Sequence, residues 1–367
     1  MPAKLSISAS QAPAADQFAE YPASWYLFCA SADLKERPVS KKMLGRHLVA
    51  FRTAGGKLAL MQANCAHLGA DLGGGQVVGE SVQCPFHGWR YGTDGACVQI
   101  PGVRDIPAFA RLQTYAVNER HGYVFFFNGP QPLFPLPFFF GEDPAAFVAG
   151  KPFSYIADCN WYMNAAHAFD TQHFALVHDR ELIAPPTVDC PSPFARRNRY
   201  RAKVVGRSAF DGLLRVFAGK TVEITISVCG GTFVLVTGNF GRAHSRFIMA
   251  TRPLEDGHTL CEGIVFANET RVPLLGRLNL ALRRLFTHSY LEAEARRLRG
   301  TRYNPGSLGQ SDADMIAFFQ WVTSLPQATS LACQSITGEE NNEIFDRSLG
   351  APLRSGAARP VPSGVER

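Results

Sequence analysis

Two short segments of the chain each combine a cysteine with a histidine, Cys65-Ala66-His67 and Cys84-Pro85-Phe86-His87. Thiolates and neutral imidazoles are ligands for iron and zinc. Two thiolates on one iron and two imidazoles on the other hold one type of [2Fe-2S] cluster, whereas the same four ligands also build tetrahedral zinc sites. The spacing predicts that Cys65, His67, Cys84 and His87 bind a [2Fe-2S] cluster, with zinc as the alternative.

A second group of metal-binding side chains lies downstream, at Asp170, His173 and His178. Two histidines and one carboxylate form the facial triad of mononuclear non-haem iron, which leaves coordination positions open for dioxygen. The spacing of five residues between His173 and His178 does not put them on one face of a regular helix, as a spacing of four does. We therefore expect a helix break or a local widening of the helix between them.

The first half of the chain has the pattern of an all-β module. Short apolar segments alternate with glycine-rich turns, which is typical of strands. These predicted strands are residues 25–30, 47–52, 58–62, 77–83 and 122–127. Residues 129–152 are rich in Pro, Phe and Gly, and this composition predicts a linker that packs on its neighbours.

The second half mixes strands and helices. Residues 221–228 alternate polar with β-branched side chains, and Gly230-Gly231 predicts a hairpin turn into a second strand at 232–237. A further antiparallel pair is predicted at 246–251 and 260–267. Residues 277–299 follow as an amphipathic helix whose leucines we expect to face the core, with a membrane-surface helix as the alternative.

Composition limits the classes of protein to which the chain can belong. At 367 residues with 46% hydrophobic and 19% charged residues, it has the size and balance of a two-domain globular protein. The net charge of +6 comes without a dense basic block, so we expect no nucleic-acid partner. We find no signal peptide and no apolar stretch long enough for a membrane span, and we therefore expect a cytoplasmic protein. Nine irregularly spaced cysteines indicate reduced thiols rather than a disulfide framework.

With both motifs in place, the chain resembles the catalytic α subunit of the Rieske non-haem iron oxygenases. The likeness is strongest over residues 25–105, which contain the two cysteine–histidine pairs, and around 160–178. It implies an α+β fold in which an N-terminal all-β Rieske domain precedes a catalytic domain of antiparallel sheet plus helices, of the helix-grip, START-like type. The domain boundaries expected are a 1–22 extension, a 23–135 Rieske iron-sulfur domain, a 136–349 mononuclear iron domain and a 350–367 disordered tail.

The resemblance also implies a third ligand for the mononuclear iron(II), besides His173 and His178. Family members use an aspartate near the C-terminus that is followed some residues later by a glutamine, and Asp312 and Asp314 both fit. Ser311 and Asp314 have the spacing of a helix capping box, which would engage the Asp314 carboxylate. We therefore expect Asp312 to bind the iron and Asp314 to lie beside the site.

Two further residues receive roles from the resemblance. Asp170 is expected to lie between His87 of one subunit and His173 of the neighbouring subunit, where it couples the two metal centres. That role requires an oligomer, most simply a homotrimer. His167 stands where many family members carry an asparagine; it is expected near the iron, where it either packs in a polar pocket or binds the metal.

The function implied is that of a terminal oxygenase, most simply a monooxygenase. It would use dioxygen and externally supplied electrons to hydroxylate, N-oxygenate, demethylate or oxidatively cyclise a hydrophobic small molecule. The sequence has no G-x-G-x-x-G dinucleotide motif after a strand, so a separate ferredoxin, NAD(P)H-dependent reductase or both must supply the electrons. The alternative is an electron-transfer Rieske protein without oxygenase activity.

Overall fold

The computed structural model describes residues 12–35, 37–207, 212, 215–216, 219–270 and 272–328, and the predicted disordered tail lies outside them. The strands of the first half are β1 (Trp25–Ala30), β2 (Val39–Met43), β3 (Arg46–Arg52), β4 (Leu58–Gln62), β5 (Gln76–Val78), β6 (Ser81–Gln83), β7 (Arg90–Gly92), β8 (Cys97–Gln99), β9 (Val117–Arg120) and β10 (Tyr123–Phe127).

Nine strands and four α-helices follow in the described part of the second half. The strands are β11 (Phe147–Ala149), β12 (Phe153–Ala157), β13 (Arg180–Leu182), β14 (Thr187–Ser192), β15 (Ala195–Val204), β16 (Thr221–Cys229), β17 (Phe233–Asn239), β18 (His244–Pro253) and β19 (Thr259–Asn268). The helices are α1 (Trp161–Ala166), α2 (Thr171–Leu176), α3 (Pro273–Arg297) and α4 (Ala313–Thr323).

Three small sheets build the N-terminal module. Their strand orders are β1-β10-β9, β2-β3-β4 and β5-β6-β7-β8, and every pairing within them is antiparallel. The strands predicted at 25–30 and 58–62 have the predicted bounds, and the segment at 77–83 is a tight hairpin, β5 to β6. Two apolar cores fill the module, one of them around Phe51, Leu72 and Tyr91 beneath the cysteine–histidine segments.

One large antiparallel sheet organises the second half. It has nine strands, with β11-β19-β18-β17-β16-β15-β13 as its main order, while β12 also pairs with β19 and β14 with β15. The hairpin predicted at Gly230-Gly231 joins β16 to β17, and the predicted pair at 246–251 and 260–267 is β18 and β19. The expected α+β class, with an all-β N-terminal part, is confirmed.

The two halves share an apolar core. Trp25, Phe125 and Phe127 from the small β1-β10-β9 sheet pack against Phe233 and Ile248 of the large sheet. The segment predicted to be a packed linker, 129–152, contributes buried Phe134, Leu136, Phe139 and Phe147 to the same core and forms β11 at its end. The hydroxyl of Thr232 donates to that of Ser24 at 2.8 Å, which adds a buried polar contact between the halves.

Helix α3 does not have the orientation expected for it. Leu280 and Leu291 are buried, and α3 lies on β19 and β12, but most of its leucines are exposed to solvent. Arg283 and Arg284 instead donate to backbone carbonyls of the underlying sheet and of residues 151–152. The prediction that the leucine face points to the core is wrong, because periodicity defines an apolar face without saying what covers it. No helix in the described residues combines the length and apolar content needed to cross a bilayer.

Candidate metal centres

Two tight loops present the first set of predicted ligands. Cys65 accepts the backbone N–H of Gly69 at 2.9 Å, and Cys84 accepts that of Gly88 at 3.2 Å. Both glycines have positive φ values, 78° and 72°, which other residues adopt only with strain. Each loop therefore turns back directly after its cysteine–histidine pair, so that the two loops bring Cys65, His67, Cys84 and His87 together as predicted.

The two cysteines lie inside and the two histidines outside. Cys65 and Cys84 are buried, whereas the rings of His67 and His87 are exposed, with their Nδ1 atoms 3.1 Å apart. The indole of Trp89 stacks on His67 with ring centroids 4.8 Å apart, which holds that ring in place.

The electrostatics of the loops fit a metal cluster. Burial and the adjacent Cys84 raise the pKa of the Cys65 thiol, while the hydroxyl of Tyr91, 3.1 Å from its sulfur, acts in the opposite direction. A bound cation would favour the thiolate form of Cys65. The donor set and its geometry therefore fit a [2Fe-2S] cluster; the assignment of these four residues as its ligands stays a prediction.

The second set of predicted ligands lies where a helix is interrupted. Helix α1 continues into a single 3-10 turn at residues 167–169 and then stops at Asp170, which has an extended backbone. Asp170 begins α2 as its N-cap and accepts the backbone N–H of His173 at 3.1 Å. Helix α2 ends at Leu176, so His178 follows the helix instead of lying on it. The helix break expected from the five-residue spacing is confirmed.

Strand β15 anchors this interrupted segment. The carbonyl of Ala168 accepts hydrogen bonds from the Asn198 amide at 3.0 Å and from the Tyr200 hydroxyl at 2.7 Å. The ring of Tyr200 also stacks on Phe174, with centroids 3.9 Å apart. All four residues are buried. Because both the backbone and a side chain are held, the position of α2 relative to the sheet is defined.

A carboxylate from helix α3 completes a group of three ligands. Oε1 of Glu294 lies 3.3 Å from Nε2 of His173 and 3.8 Å from Nε2 of His178. One ligand atom from each of the three residues lies within 4.8 Å of the others, and this is the one such group found in the described part of the chain. Both imidazoles are buried, and neither ring nitrogen of His173 has a hydrogen-bond partner in the described residues.

The charges of this group suit a divalent metal. Burial lowers the pKa of His173 to about 4, so its ring is neutral and offers a lone pair. Burial acts to raise the pKa of Glu294, but the neighbouring His178, His173 and His167 outweigh it, and the pKa lies below its ordinary value. Two neutral imidazoles and one ionised carboxylate are the ligands of the facial triad. The residues present therefore fit a mononuclear iron.

Two more side chains border the group. The hydroxyl of Tyr290 lies 2.6 Å from Nδ1 of His178, and the two rings are stacked. The ring centroid of His167 lies 5.4 Å from that of His173, and its Nδ1 is 3.2 Å from the carbonyl of Asn164. His167 therefore lies next to the site, as expected, but it is not part of the three-ligand group.

Asp312 and Asp314 are not brought to the histidines. The Asp312 carboxylate accepts the backbone N–H of Gly309 at 2.8 Å, and Asp312 itself is the N-cap of α4. The capping role predicted for Ser311 with Asp314 is wrong, because the 3-10 turn at 310–312 starts the helix earlier and Asp312 makes the capping contact. The structure thus offers Glu294 in the place for which the sequence suggested Asp312.

Glu294 and Tyr290 were not predicted from the sequence, because the apolar periodicity of α3 gives no information about the contacts of its polar residues. One signal was present. The only acids of α3 are Glu292 and Glu294, at the end of a helix that is otherwise apolar and basic. Neither lies in a recognisable motif, and their distance from His173 along the chain carries no information about contact.

The sequence profile of the Rieske [2Fe-2S] domain family matches residues 24–115. This match decides between the cluster and the zinc site. Residues 24–115 are a Rieske [2Fe-2S] domain. The Rieske domain contains all four cysteine and histidine ligands predicted for the cluster, and the structure groups them with the cysteines buried and the histidines exposed.

Curated relatives of the chain are oxygenases. It is 38% identical over 169 residues to aminopyrrolnitrin oxygenase PrnD of Pseudomonas fluorescens, which covers 42% of this chain and 46% of that protein. It is 36% identical over 114 residues to the oxygenase component of 3-ketosteroid-9-alpha-monooxygenase of Rhodococcus rhodochrous, covering 31% and 30%. The matched part spans less than half the length of these relatives. The resemblance to Rieske oxygenases predicted from the motifs is confirmed.

Solved structures share the fold beyond the Rieske domain. NdmA of Pseudomonas putida CBB5, solved with caffeine, superposes with a TM-score of 0.58 at 20% identity and covers 81% of this chain and 89% of its own. Dicamba monooxygenase bound to dicamba gives a TM-score of 0.56 at 18% identity, covering 86% and 98%. The fold that combines the N-terminal β module with the large sheet is therefore shared with these two solved structures.

Proposed function

We propose that this protein is the terminal oxygenase of a Rieske non-haem iron system and acts as a monooxygenase on a hydrophobic small molecule. The observation that carries the proposal is the buried group of His173, His178 and Glu294 in the same chain as a Rieske domain. An electron-transfer Rieske protein needs no such group. The two relatives named above are an aminopyrrolnitrin oxygenase and a 3-ketosteroid monooxygenase component, which supports a hydrophobic substrate.

We infer that His173, His178 and Glu294 hold a mononuclear iron(II), with Glu294 in place of Asp312. Bound iron would supply dioxygen activation, with electrons delivered from the [2Fe-2S] cluster. The chain itself contributes position: Asp170 caps α2, Asn198 and Tyr200 hold the preceding turn, and burial keeps His173 neutral. These contacts hold the three ligand atoms near one another, which is the preorganisation that a metal site needs.

We further propose that the active form is a homotrimer in which a Rieske domain of one copy faces the iron group of the next. Exposed apolar side chains support this arrangement, because they lie next to the histidines of the Rieske domain and also on α2 of the iron site. They are Leu68, Phe86, Phe109 and Leu176, of which Leu176 is 80% exposed. Such a patch marks an interface.

In this arrangement Asp170 would connect the two centres. Its Oδ1 accepts the backbone N–H of His173, so Oδ2 can accept the N–H of His87 from the neighbouring copy. A separate ferredoxin or NAD(P)H-dependent reductase would supply electrons to the exposed face of the Rieske domain. The domain limits at 23–135 and 136–349 and the cytoplasmic location stay predictions.

The test is a reconstituted assay of the purified protein with a ferredoxin, a reductase and NAD(P)H. We expect dioxygen consumption that depends on added substrate when aromatic amines, phenols and sterol-like compounds are tried. His173→Ala should abolish it, lower the iron content to that of the cluster alone and leave the visible spectrum of the cluster unchanged. Substrate oxidation that survives this substitution would refute the proposed iron site, and wild-type protein with no iron beyond the cluster would favour the electron carrier.

A further inference from the structure

Helix α3 carries a continuous apolar stripe on its solvent side. Its first four turns expose five leucines with relative exposures from 47% to 76%. These residues, called the leucine stripe below, are Leu274, Leu275, Leu278, Leu282 and Leu285. Spacings of three and four residues place side chains on one side of a helix. Monomeric proteins rarely expose apolar patches of this kind without a partner that covers them.

The opposite side of α3 is already occupied. Leu280 and Leu291 are buried where the helix lies on β12 and β19. Arg283 donates to the carbonyl of His244 and Arg284 to that of Pro152, so both arginines attach the helix to the domain. The helix therefore cannot roll to bury the leucine stripe without losing its contacts with the sheet. The described residues therefore leave the leucine stripe uncovered, and a partner would have to cover it.

The charge around the stripe selects among possible partners. Helix α3 contains five arginines and two acids, Glu292 and Glu294, of which Glu294 belongs to the metal-ligand group. Arg277 and Arg296 are exposed on α3, and Lys151 is exposed next to the helix, because Arg284 donates to the Lys151 carbonyl. Two copies of the stripe packed face to face would bring together more cations than acids, since Glu292 is the one acid of α3 outside the metal-ligand group. An anionic surface matches the stripe and its cations together.

Leucines on one face with arginines at the margin are the features by which a helix lies in the plane of a membrane. Its apolar face enters the headgroup boundary while its cations contact lipid phosphates. We propose that α3 docks the protein by the leucine stripe onto an anionic phospholipid surface. This inference does not depend on the oxygenase activity. The same helix carries Tyr290 and Glu294 near its end, so docking would bring one end of a site-forming helix to the lipid.

The test uses the full-length holoprotein with its cluster in a vesicle sedimentation assay. Vesicles of phosphatidylcholine with phosphatidylglycerol in equal amounts are compared with vesicles of phosphatidylcholine alone. We expect binding to the anionic vesicles that weakens as salt is raised. The double substitution L278Q and L282Q should lower the affinity by about tenfold or more, since two leucines leave the bilayer. R277Q should weaken binding to anionic vesicles and leave the weak binding to neutral vesicles unchanged.

The matched control is V98Q, which changes an equally exposed apolar residue on β8 of the Rieske domain. It should bind vesicles as the unsubstituted protein does, and an unchanged cluster spectrum in every variant shows that folding is retained. The proposal is overturned if the unsubstituted protein does not sediment with anionic vesicles, or if L278Q with L282Q binds as well as V98Q. It is also overturned if that double variant changes the oligomeric state instead, because the stripe is then an interface between copies.

Discussion

The two groups of predicted metal ligands differ in how much of the chain builds them. The Rieske ligands lie within residues 65–87, on two loops that close through their own backbone hydrogen bonds. The second group joins residues 173 and 178, beside a broken helix, to residue 294 on another helix. The first group is a property of a local motif, whereas the second exists only because the large sheet positions α2 and α3 against each other.

The largest effect is expected from removing the carboxylate of the second group. Glu294→Gln keeps the shape of the side chain but removes the negative charge from the group of His173, His178 and Glu294. We expect loss of the mononuclear iron and a fall in activity of more than about 100-fold, since even residues that only support metal ligands cost 10- to 100-fold. Iron analysis and substrate-dependent dioxygen uptake measure both effects.

Asp312→Asn is the matched comparison for that substitution. It removes the carboxylate predicted from sequence, which here accepts the Gly309 N–H. We expect iron content and activity to change by less than about twofold and stability to change little, because the asparagine amide oxygen can accept the same N–H. The reverse result, with iron lost from Asp312→Asn and kept in Glu294→Gln, would restore the ligand set suggested by the sequence.

Substitutions of Asp170 test whether electrons pass between the two groups through its carboxylate. Asp170→Ala should abolish turnover while both iron centres remain, and it should cost about 1 kcal/mol of stability because the N-cap of α2 is lost. Asp170→Asn is the informative control, since asparagine caps helices as well as aspartate but carries no charge. Single-turnover oxidation of the reduced cluster should be slow in both variants. Normal turnover in the asparagine variant would exclude the carboxylate route.

Acid should destabilise the second group through His173. The pKa of His173 is lowered by burial from 6.5 to about 4, so the unfolded chain binds more protons between these values. In metal-free protein, protonation of His173 therefore does not lower the free energy of unfolding above pH 6.5. As the pH falls from 6.5 towards 4, this free energy decreases by about 3 kcal/mol in total. Denaturant unfolding across this range, compared with His173→Asn, measures it. An equal pH dependence in both proteins would contradict the assignment.

The smallest effect concerns Tyr290, whose hydroxyl lies 2.6 Å from Nδ1 of His178. Tyr290→Phe keeps the ring stacked on the imidazole and removes the hydrogen bond that orients it. We expect iron affinity to fall by about tenfold, the lower end for groups that support a ligand. Ser289→Ala, at an exposed neighbouring position, should leave the affinity unchanged. Equal affinities in the two variants would show that Tyr290 only packs.

Strand positions and the Rieske motif were predictable because they depend on neighbours in sequence. Alternating side chains located β16, and the glycine pair located the turn into β17. The face of α3 that packs on the sheet was not predictable, because the leucines form an apolar face whatever the rotation of the helix about its axis. The cap of α4 was misplaced for a related reason: Asp312 and Asp314 are both suitable acids, and the backbone of the preceding turn chose Asp312.

By itself, the sequence determined the α+β class, the four ligands grouped in the Rieske domain and the two histidines of the second group. It did so because each of these depends on side chains a few residues apart, whose relative positions follow from local backbone geometry. The carboxylate was decided by tertiary structure alone. Glu294 reaches His173 because α3 packs on β12 and β19 while β15 holds the turn before α2, and a contact between such distant segments has no signature in the spacing of residues.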